Sequence, residues 1–421
     1  MSTAPSRLWH PFADMGAVRS SRFVVSAAED VWVFDADGRR YLDATAALWY
    51  ANAGHGRREI TDAIAGQLST LEAYSTFGDF ANEPALALAD RLAALAPVPG
   101  ARVFLGSGGS DGVDTAAKLA RRYWHAVGAP ERAHIIGRAG AYHCSHGYGT
   151  ALAGIPANRE GFGDLLAGSS RVAYDSVADL EAAFERVGPE RVAAFFLEPV
   201  IGAGGVLPPP DGYVESVAAL CRKAGVLLVV DAVICAFGRL GTWFGIERWG
   251  VEPDMIVFAK GVTSGYLPLG GVVVSGRVAE PFWALPGGPV FRHGATYAGH
   301  PACCAAALAN LDLLEREGLL ARGRELEGDL VGALEPLAAH ALARGVRGGV
   351  GLLAALELEP GVVQEVFRRA RNHGVIVRPL GTSIAVSPPL TATREHFGLI
   401  TEALGRALDE TLAALPAARA A

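Results

Sequence analysis

The sequence predicts an α/β protein: a large domain on a mostly parallel sheet with helices on both faces, and a smaller α+β domain. Three observations predict it. Short apolar runs stand at 134–137 (HIIG), 192–197 (VAAFFL), 226–230 (VLLVV), 255–259 (MIVFA) and 270–274 (GGVVV). Their lack of alternation suits strands buried on both faces, as in a parallel sheet covered by helices. Stretches of helical spacing, such as 176–187 and 213–224, separate several of them, the pattern of an α/β chain. The 421 residues are 51% hydrophobic and only 19% charged, enough for a large core and about two to three domains.

Residues 1–22 read as an arm, because Pro5, Pro11 and Gly16 break any helix. VWVFDADGRRYLD at 31–43 is a hairpin around Asp37-Gly38. ATAALWYANAGHG at 44–56 is a glycine-punctuated loop, whose Trp49 and Tyr50 suit a pocket wall and a packed core equally. Helical spacing covers 58–71 and 84–95. Then VFL is a short strand, GSGGSDG at 106–112 a glycine-rich turn, and VDTAAKLARRYW a helix that Ser110 or Asp111 caps. A turn of this kind opening a helix offers free N–H groups and the positive dipole end, which suits a phosphate. It follows neither the P-loop nor the GxGxxG pattern. Residues 281–301 are a polar loop, and 302–320 are helical. Strands at 348–357 and 375–386 flank a helix at 362–371, and helices run to the end. The expected division is an N-terminal arm and hairpin at 1–55 that is part of the small domain, a large domain at 56–300, and a C-terminal small domain at 301–421.

Composition excludes several classes. The net charge is −7 and no basic run occurs, which argues against nucleic acid. The five cysteines, Cys144, Cys221, Cys235, Cys303 and Cys304, show no metal spacing. Their odd number and scatter fit a reduced, cytoplasmic chain. The first residues lack a signal-peptide pattern, and charges and glycines interrupt every apolar run before it spans a membrane.

Three charged residues stand just after predicted strands: Glu198, Asp231 and Lys260. In open α/β sheets ligands bind beyond the carboxyl ends of the strands, so the three are expected to meet at a site. Lys260 is one of three lysines beside 34 arginines; the others, Lys118 and Lys223, fall in helical stretches. A lysine between a buried strand and a tight loop is poorly solvated. That lowers its pKa and frees its amine to attack a carbonyl, the requirement of a Schiff-base lysine.

Eight segments, in order from about residue 40 to 390, carry a resemblance. They are LWYANAGHG, GSGGSDGVDTAAKLAR, AYHCSHG, LEPVIGAGG, DAVICAFGRLG, AKGVTSGYLPLGG, HGATYAGHPACCAAALAN and VRPLGTSIAVSPPL. Together they resemble the class III, or omega, aminotransferases, pyridoxal-phosphate enzymes of the type I fold. Within that family the chain is most similar to the omega-amino acid:pyruvate type. The resemblance implies pyridoxal 5′-phosphate as cofactor, no metal, and a homodimer with sites at the subunit interface. It implies Lys260 as the Schiff-base lysine and Asp231 as the carboxylate on the pyridine nitrogen. Gly109 and Ser110 hold the phosphate, with Thr296 reaching it from the neighbouring subunit. Tyr142 and Val233 cover the two ring faces, and His143 and Glu198 complete the cofactor site. Trp49 and Arg378 face the substrate. Arg378 clamps the acceptor's carboxylate, with Arg239 as the second candidate.

The implied activity is ping-pong transfer of an amino group from an amine or omega- or beta-amino acid to a keto acid such as pyruvate. Lys260 is then the general acid and base. An aminomutase or epimerase of the same family, or a decarboxylating transaminase, remains an alternative. The chain departs from the family at Gly108 (usually Ser), Cys144 (usually Gly), Ile201 (commonly Gln), Ala232 (commonly Glu), Ala236 (commonly Gly) and Thr382 (usually Asp).

Overall fold

The computed structural model describes residues 7–19 and 22–415; Pro5, expected to break the arm, lies outside them. Three sheets organise the described residues. The first begins with β1 (Val25–Glu29), β2 (Trp32–Asp35) and β3 (Arg40–Asp43), antiparallel neighbours in order. The β2–β3 turn is the expected Asp-Gly turn. Gly38 has φ 77°, and Asp35 Oδ1 accepts the N–H groups of Asp37 and Arg39, each at 2.9 Å, an Asx turn.

The second sheet has seven strands: β4 (Arg102–Gly106), β5 (His134–Arg138), β6 (Ser169–Val172), β7 (Val192–Leu197), β8 (Leu227–Asp231), β9 (Met255–Phe258) and β10 (Gly270–Val274). Their order is β4-β10-β9-β8-β7-β5-β6. Only β10 runs against the rest, pairing antiparallel with both β4 and β9. Every residue of β7 through β10 is buried, which accounts for their uninterrupted apolar sequence. Helix Gly109–Ala126 packs across β9 and β10. A side chain on Gly112 would put its Cβ 2.7 Å from Val257 Cγ1 and 3.0 Å from Gly271 O, so glycine is what lets this helix lie on the sheet.

The third sheet, β11 (Ala343–Arg347), β12 (Ala354–Leu358), β14 (Arg378–Leu380) and β15 (Ser383–Val386), has the order β11-β12-β15-β14. Between these lies β13 (Val375–Ile376), which leaves that sheet and pairs parallel with β3, Val375 against Leu42 and Ile376 against Asp43.

Four local expectations are corrected. Gly16 does not break the arm's helix: a short helix spans Met15–Val18, because Asp14 Oδ1 accepts the Gly16 and Ala17 N–H groups. Pro281 does not open a loop, since helix Gly276–Trp283 runs through it, started by Ser275 accepting the Val278 N–H. The strand expected from Gly348 begins at Ala354. Gly349 and Gly351, at φ 89° and 71°, take the backbone out of the extended region, and the preceding strand is Ala343–Arg347. The run expected at 375–386 is three strands, cut by a turn at Gly381 (φ 54°) and divided between two sheets.

Candidate active site

The topology brings one end of the central sheet together. β7, β8 and β9 are parallel neighbours, so Glu198, Asp231 and Lys260, at or just past their carboxyl ends, emerge side by side. β4 runs parallel to β9, both being antiparallel to β10. The helix after β4 therefore starts at the same edge.

Asp231 is the last residue of β8 and is 3% exposed. Its Oδ1 accepts the Val233 N–H at 3.1 Å, and its Oδ2 lies 2.9 Å from His143 Nδ1. His143 is fully buried, edge-on to Phe196, and its Nε2 has no partner. His143 thus stands behind the carboxylate and fixes its orientation. Glu198 is also buried: Oε1 accepts the Tyr142 N–H at 2.9 Å and Oε2 the Gly202 N–H at 3.1 Å. Burial pushes its carboxyl up, His143 opposes that, and Asp231 adds to it. By anchoring the Tyr142 backbone, Glu198 presents that ring to the site; burial pushes the Tyr142 phenol up to about 12.

Lys260 opens a short 3-10 turn, Lys260–Val262, with φ 50°. Burial lowers its pKa; the Cys144 thiol, Asp231 and Glu198 oppose that, and Arg378 adds to it. The amine lies 5.6 Å from the centre of the Trp49 ring, with the Arg378 guanidinium 4.8 Å from the same ring. Trp49 is 2% exposed and its indole Nε1 has no partner. Arg378, the first residue of β14, is half-buried with an unpartnered Nε. A buried indole donor and a buried guanidinium donor, both unpaired, are costly unless a ligand satisfies them.

The helix Gly109–Ala126 starts two to three residues earlier than caps at Ser110 or Asp111 would place it. Gly108 is the N-cap and offers no side-chain bond. Ser110 and Asp111 therefore lie inside the first turn and neither caps it; Asp111 Oδ2 instead accepts the Ser107 N–H at 2.9 Å. The helix's first N–H groups are left to a ligand. A Cβ on Gly109 would come within 3.0 Å of both Cys144 Sγ and Val233 Cγ1. This glycine keeps a cradle open between the helix end, the thiol and Val233. Burial pushes the Cys144 thiol up to about 12. Thr296 is exposed, in the polar loop before helix Pro301–Arg316.

Arg239 is not at the site. It is fully buried and donates to Leu352 O (2.8 Å), Pro388 O (2.7 Å) and Asn52 Oδ1 (2.9 Å). Its charge is spent on joining three segments.

Sequence reasoning missed the residues that hold the site. Asn310 donates to Gly261 O at 2.9 Å and Val262 O at 3.0 Å. It also accepts from Ser264 Oγ at 2.7 Å, and Ser264 Oγ in turn accepts the Ala53 N–H at 3.0 Å. This chain pins the turn that carries Lys260. The available signal was an asparagine inside the apolar run ACCAAALANLDLL, where a buried amide demands partners.

A family model described as Aminotransferase class-III matches residues 15–408. The chain is a class-III aminotransferase. This aminotransferase is 36% identical over 421 aligned positions to a putrescine–pyruvate aminotransferase of Pseudomonas aeruginosa, covering 93% of this chain and 91% of that one. It is 35% identical to a beta-alanine–pyruvate aminotransferase of the same organism, covering 95% of each. Among solved structures, it matches an amine transaminase from an uncultivated Pseudomonas species in its PLP-bound form. That match has a TM-score of 0.92 and 37% identity, covering 97% of this chain and all of the other. A thermostable (S)-enantioselective omega-transaminase from Thermomicrobium roseum matches with a TM-score of 0.92 and 40% identity, covering 96% of each chain. The aminotransferase has the type I fold of these enzymes and, as a member of the family, uses pyridoxal 5′-phosphate.

Proposed function

We propose that this aminotransferase takes an amino group from an amine or an omega- or beta-amino acid and passes it to a keto acid such as pyruvate. The observation that carries the reading is the meeting of a desolvated lysine amine, a buried carboxylate and a helix start without a side-chain cap at one sheet edge. The residues suit pyridoxal phosphate. The cradle kept open by Gly109 and the first turn of the helix, with the Ser110 hydroxyl, suit its phosphate. Asp231 suits its ring nitrogen, Tyr142 and Val233 its two faces, and Lys260 its aldehyde carbon. His143 and Glu198 act from behind, one on Asp231 and the other on the Tyr142 backbone.

When bound, the cofactor supplies an electron sink for the carbon that loses its proton. The chain's own residues do the rest. Asp231, held by His143, keeps a proton on the ring nitrogen. Lys260 Nζ, once freed by the donor, would take the proton from the donor's carbon and return it two bonds away, on the far side of the donor's nitrogen. Arg378 holds the acceptor's carboxylate through paired N–H groups; its unpartnered Nε supports this. Trp49 walls the donor side. The names of the relatives support pyruvate as acceptor.

We further propose a homodimer in which Thr296 reaches the partner's phosphate. Large exposed apolar side chains, among them Tyr74, Phe77, Phe80, Trp283 and Tyr297, support association with a second copy. The division into 1–55 with 301–421 as a small domain and 56–300 as a large one is proposed too. The pairing of β13 with β3 supports the joining of the two ends. A cytoplasmic location is proposed from the five free cysteines; no helix among the described residues is long and apolar enough to cross a membrane.

A donor panel with pyruvate and 2-oxoglutarate as acceptors tests the reading, followed by the cofactor's absorbance. Amine-dependent bleaching that pyruvate reverses is the expected result. Turnover that needs no keto acid would overturn it in favour of an isomerase.

A further inference from the structure

The segment that carries Trp49 has an improbable backbone. Ala46, Ala47 and Trp49 all have positive φ, at 45°, 56° and 60°. Ala47 combines its φ with ψ −90°, a region that a residue with a Cβ avoids. Such a conformation persists only where its surroundings over-determine it.

One side chain does most of that. Asp43, at the end of β3, is 2% exposed. Its Oδ2 accepts the Ala47 N–H at 2.7 Å and lies 2.9 Å from His55 Nε2. Its Oδ1 accepts the Thr45 N–H at 3.2 Å. Thr45 Oγ1 lies 3.1 Å from the same oxygen and 2.7 Å from Ala47 O, and shares its single proton between them. Both oxygens of a buried carboxylate are thus spent on bending the backbone of 45–47.

The root of this clamp is shared with the other wall of the site. Asp43 pairs with Ile376 across β3 and β13, two residues before Arg378. The Ala44 N–H donates to Ile376 O at 2.9 Å. Asp43 therefore holds Trp49 on one side and sits on the strand leading to Arg378 on the other. The indole ends beside both the Lys260 amine and the Arg378 guanidinium, its own N–H unpaired.

We propose that Asp43 is a positioning residue for substrate selection: its carboxylate locks the strained 45–47 backbone so that Trp49 forms a fixed wall against Lys260 and Arg378. This rests on the reading of Trp49 as the donor-side wall. With the clamp intact the wall is rigid and limits donor size. With the clamp cut, Ala47 relaxes to an ordinary conformation and the indole withdraws.

The test is a cycle of Asp43→Asn, Trp49→Ala and the double variant in the loaded enzyme. It reads kcat/KM for a bulky aryl amine relative to a small aliphatic amine, with pyruvate as acceptor. Asp43→Asn should raise that ratio by about tenfold, the scale of one lost pocket contact. The shift should collapse to less than about twofold in the Trp49→Ala background, because the two act through one element. A ratio unmoved by Asp43→Asn while Trp49→Ala moves it overturns the proposal alone. So does an Asp43→Asn shift that survives undiminished without Trp49. A ratio unmoved by Trp49→Ala overturns the reading of the wall, and this proposal with it.

Melting of the loaded enzyme gives a second readout. Ala47→Gly, which tolerates the strained backbone, should raise the melting temperature and restore part of what Asp43→Asn loses. A lower melting temperature for Ala47→Gly would mean that no strain is held there, and overturns the proposal. If Asp43→Asn does not fold, Thr45→Val, which cuts only the hydroxyl's contacts, should move the ratio in the same direction by less. No movement in that variant overturns the proposal.

Discussion

Lys260 answers two opposed demands. Its amine must be neutral to react, yet it stands among groups that favour the cation. Burial wins and lowers its pKa below 10.5, with Arg378 helping and the Cys144 thiol, Asp231 and Glu198 opposing. In the window between the lowered value and the ordinary one, the folded chain binds fewer protons at Lys260 than the unfolded chain. Stability from this group therefore rises with pH there and is lost as pH falls through the folded value. Peptide-resolved acylation of the cofactor-free protein should show Lys260 titrating below the ordinary lysine value. Glu198→Gln should move its midpoint down and Arg378→Ala should move it up; opposite signs would show that burial and charge are wrongly apportioned. Asp231 is tested differently. Its carboxylate is worth burying only against a cation, and His143 already occupies one oxygen. Asp231→Asn should retain some cofactor and lose roughly two or more powers of ten in kcat, the scale of a removed preorganised charge. Near-normal turnover would exclude the ring-nitrogen role.

At the scale of elements, the site depends on short segments that carry no chemistry. The turn of Lys260 is pinned by Asn310, from a helix that also packs on helices Arg58–Thr70 and Glu83–Leu95. Asn310→Leu keeps the volume and removes the bonds. It leaves the Val262 carbonyl without a partner, at a cost of about 1–3 kcal/mol, while Gly261 O keeps the Ser264 N–H and the Ser264 hydroxyl, losing its acceptor, keeps the Ala53 N–H. Chemical denaturation should show a loss of at least that size, with weaker cofactor retention because the lysine's turn is free to drift. Unchanged stability would mean that water replaces the amide without penalty. The helix over β9 and β10 shows the converse case, where a missing side chain matters: Gly112 brings the helix onto the sheet and so aims its free N–H groups at the site.

For the whole molecule the question is where one chain's site ends. Thr296 is exposed, in the loop before helix Pro301–Arg316. Its proposed role needs a second copy. Thr296→Ala should therefore weaken phosphate retention without changing the fold, read by equilibrium dialysis of the cofactor. Sedimentation should show cofactor loss tracking dissociation on dilution. A monomer that keeps its cofactor and its full rate would refute the shared site.

The sequence by itself determined the buried strands and the residues at their ends. A strand covered on both faces must be apolar throughout, so an interrupting Glu198, Asp231 or Lys260 shows in one dimension. The eight ordered segments located the family for the same local reason: turns and strand exits are written in adjacent residues. What surrounds those residues was decided only in three dimensions. Asn310 reaches Gly261 across 49 positions, and nothing near it in the chain marks that bond. The apolar run at 375–386 read as one strand, but its first two residues pair with β3, while Arg378–Leu380 and Ser383–Val386 pair with each other in the third sheet. Arg239 and Arg378 are alike as arginines beside glycine-containing turns. One meets two backbone carbonyls and an amide and becomes structural; the other lies half-buried with its guanidinium against the Trp49 ring at the site. A local pattern sets how a backbone is able to run. Which buried polar group finds its partner inside the protein, and which is left for a substrate, depends on segments that meet only once the chain has folded.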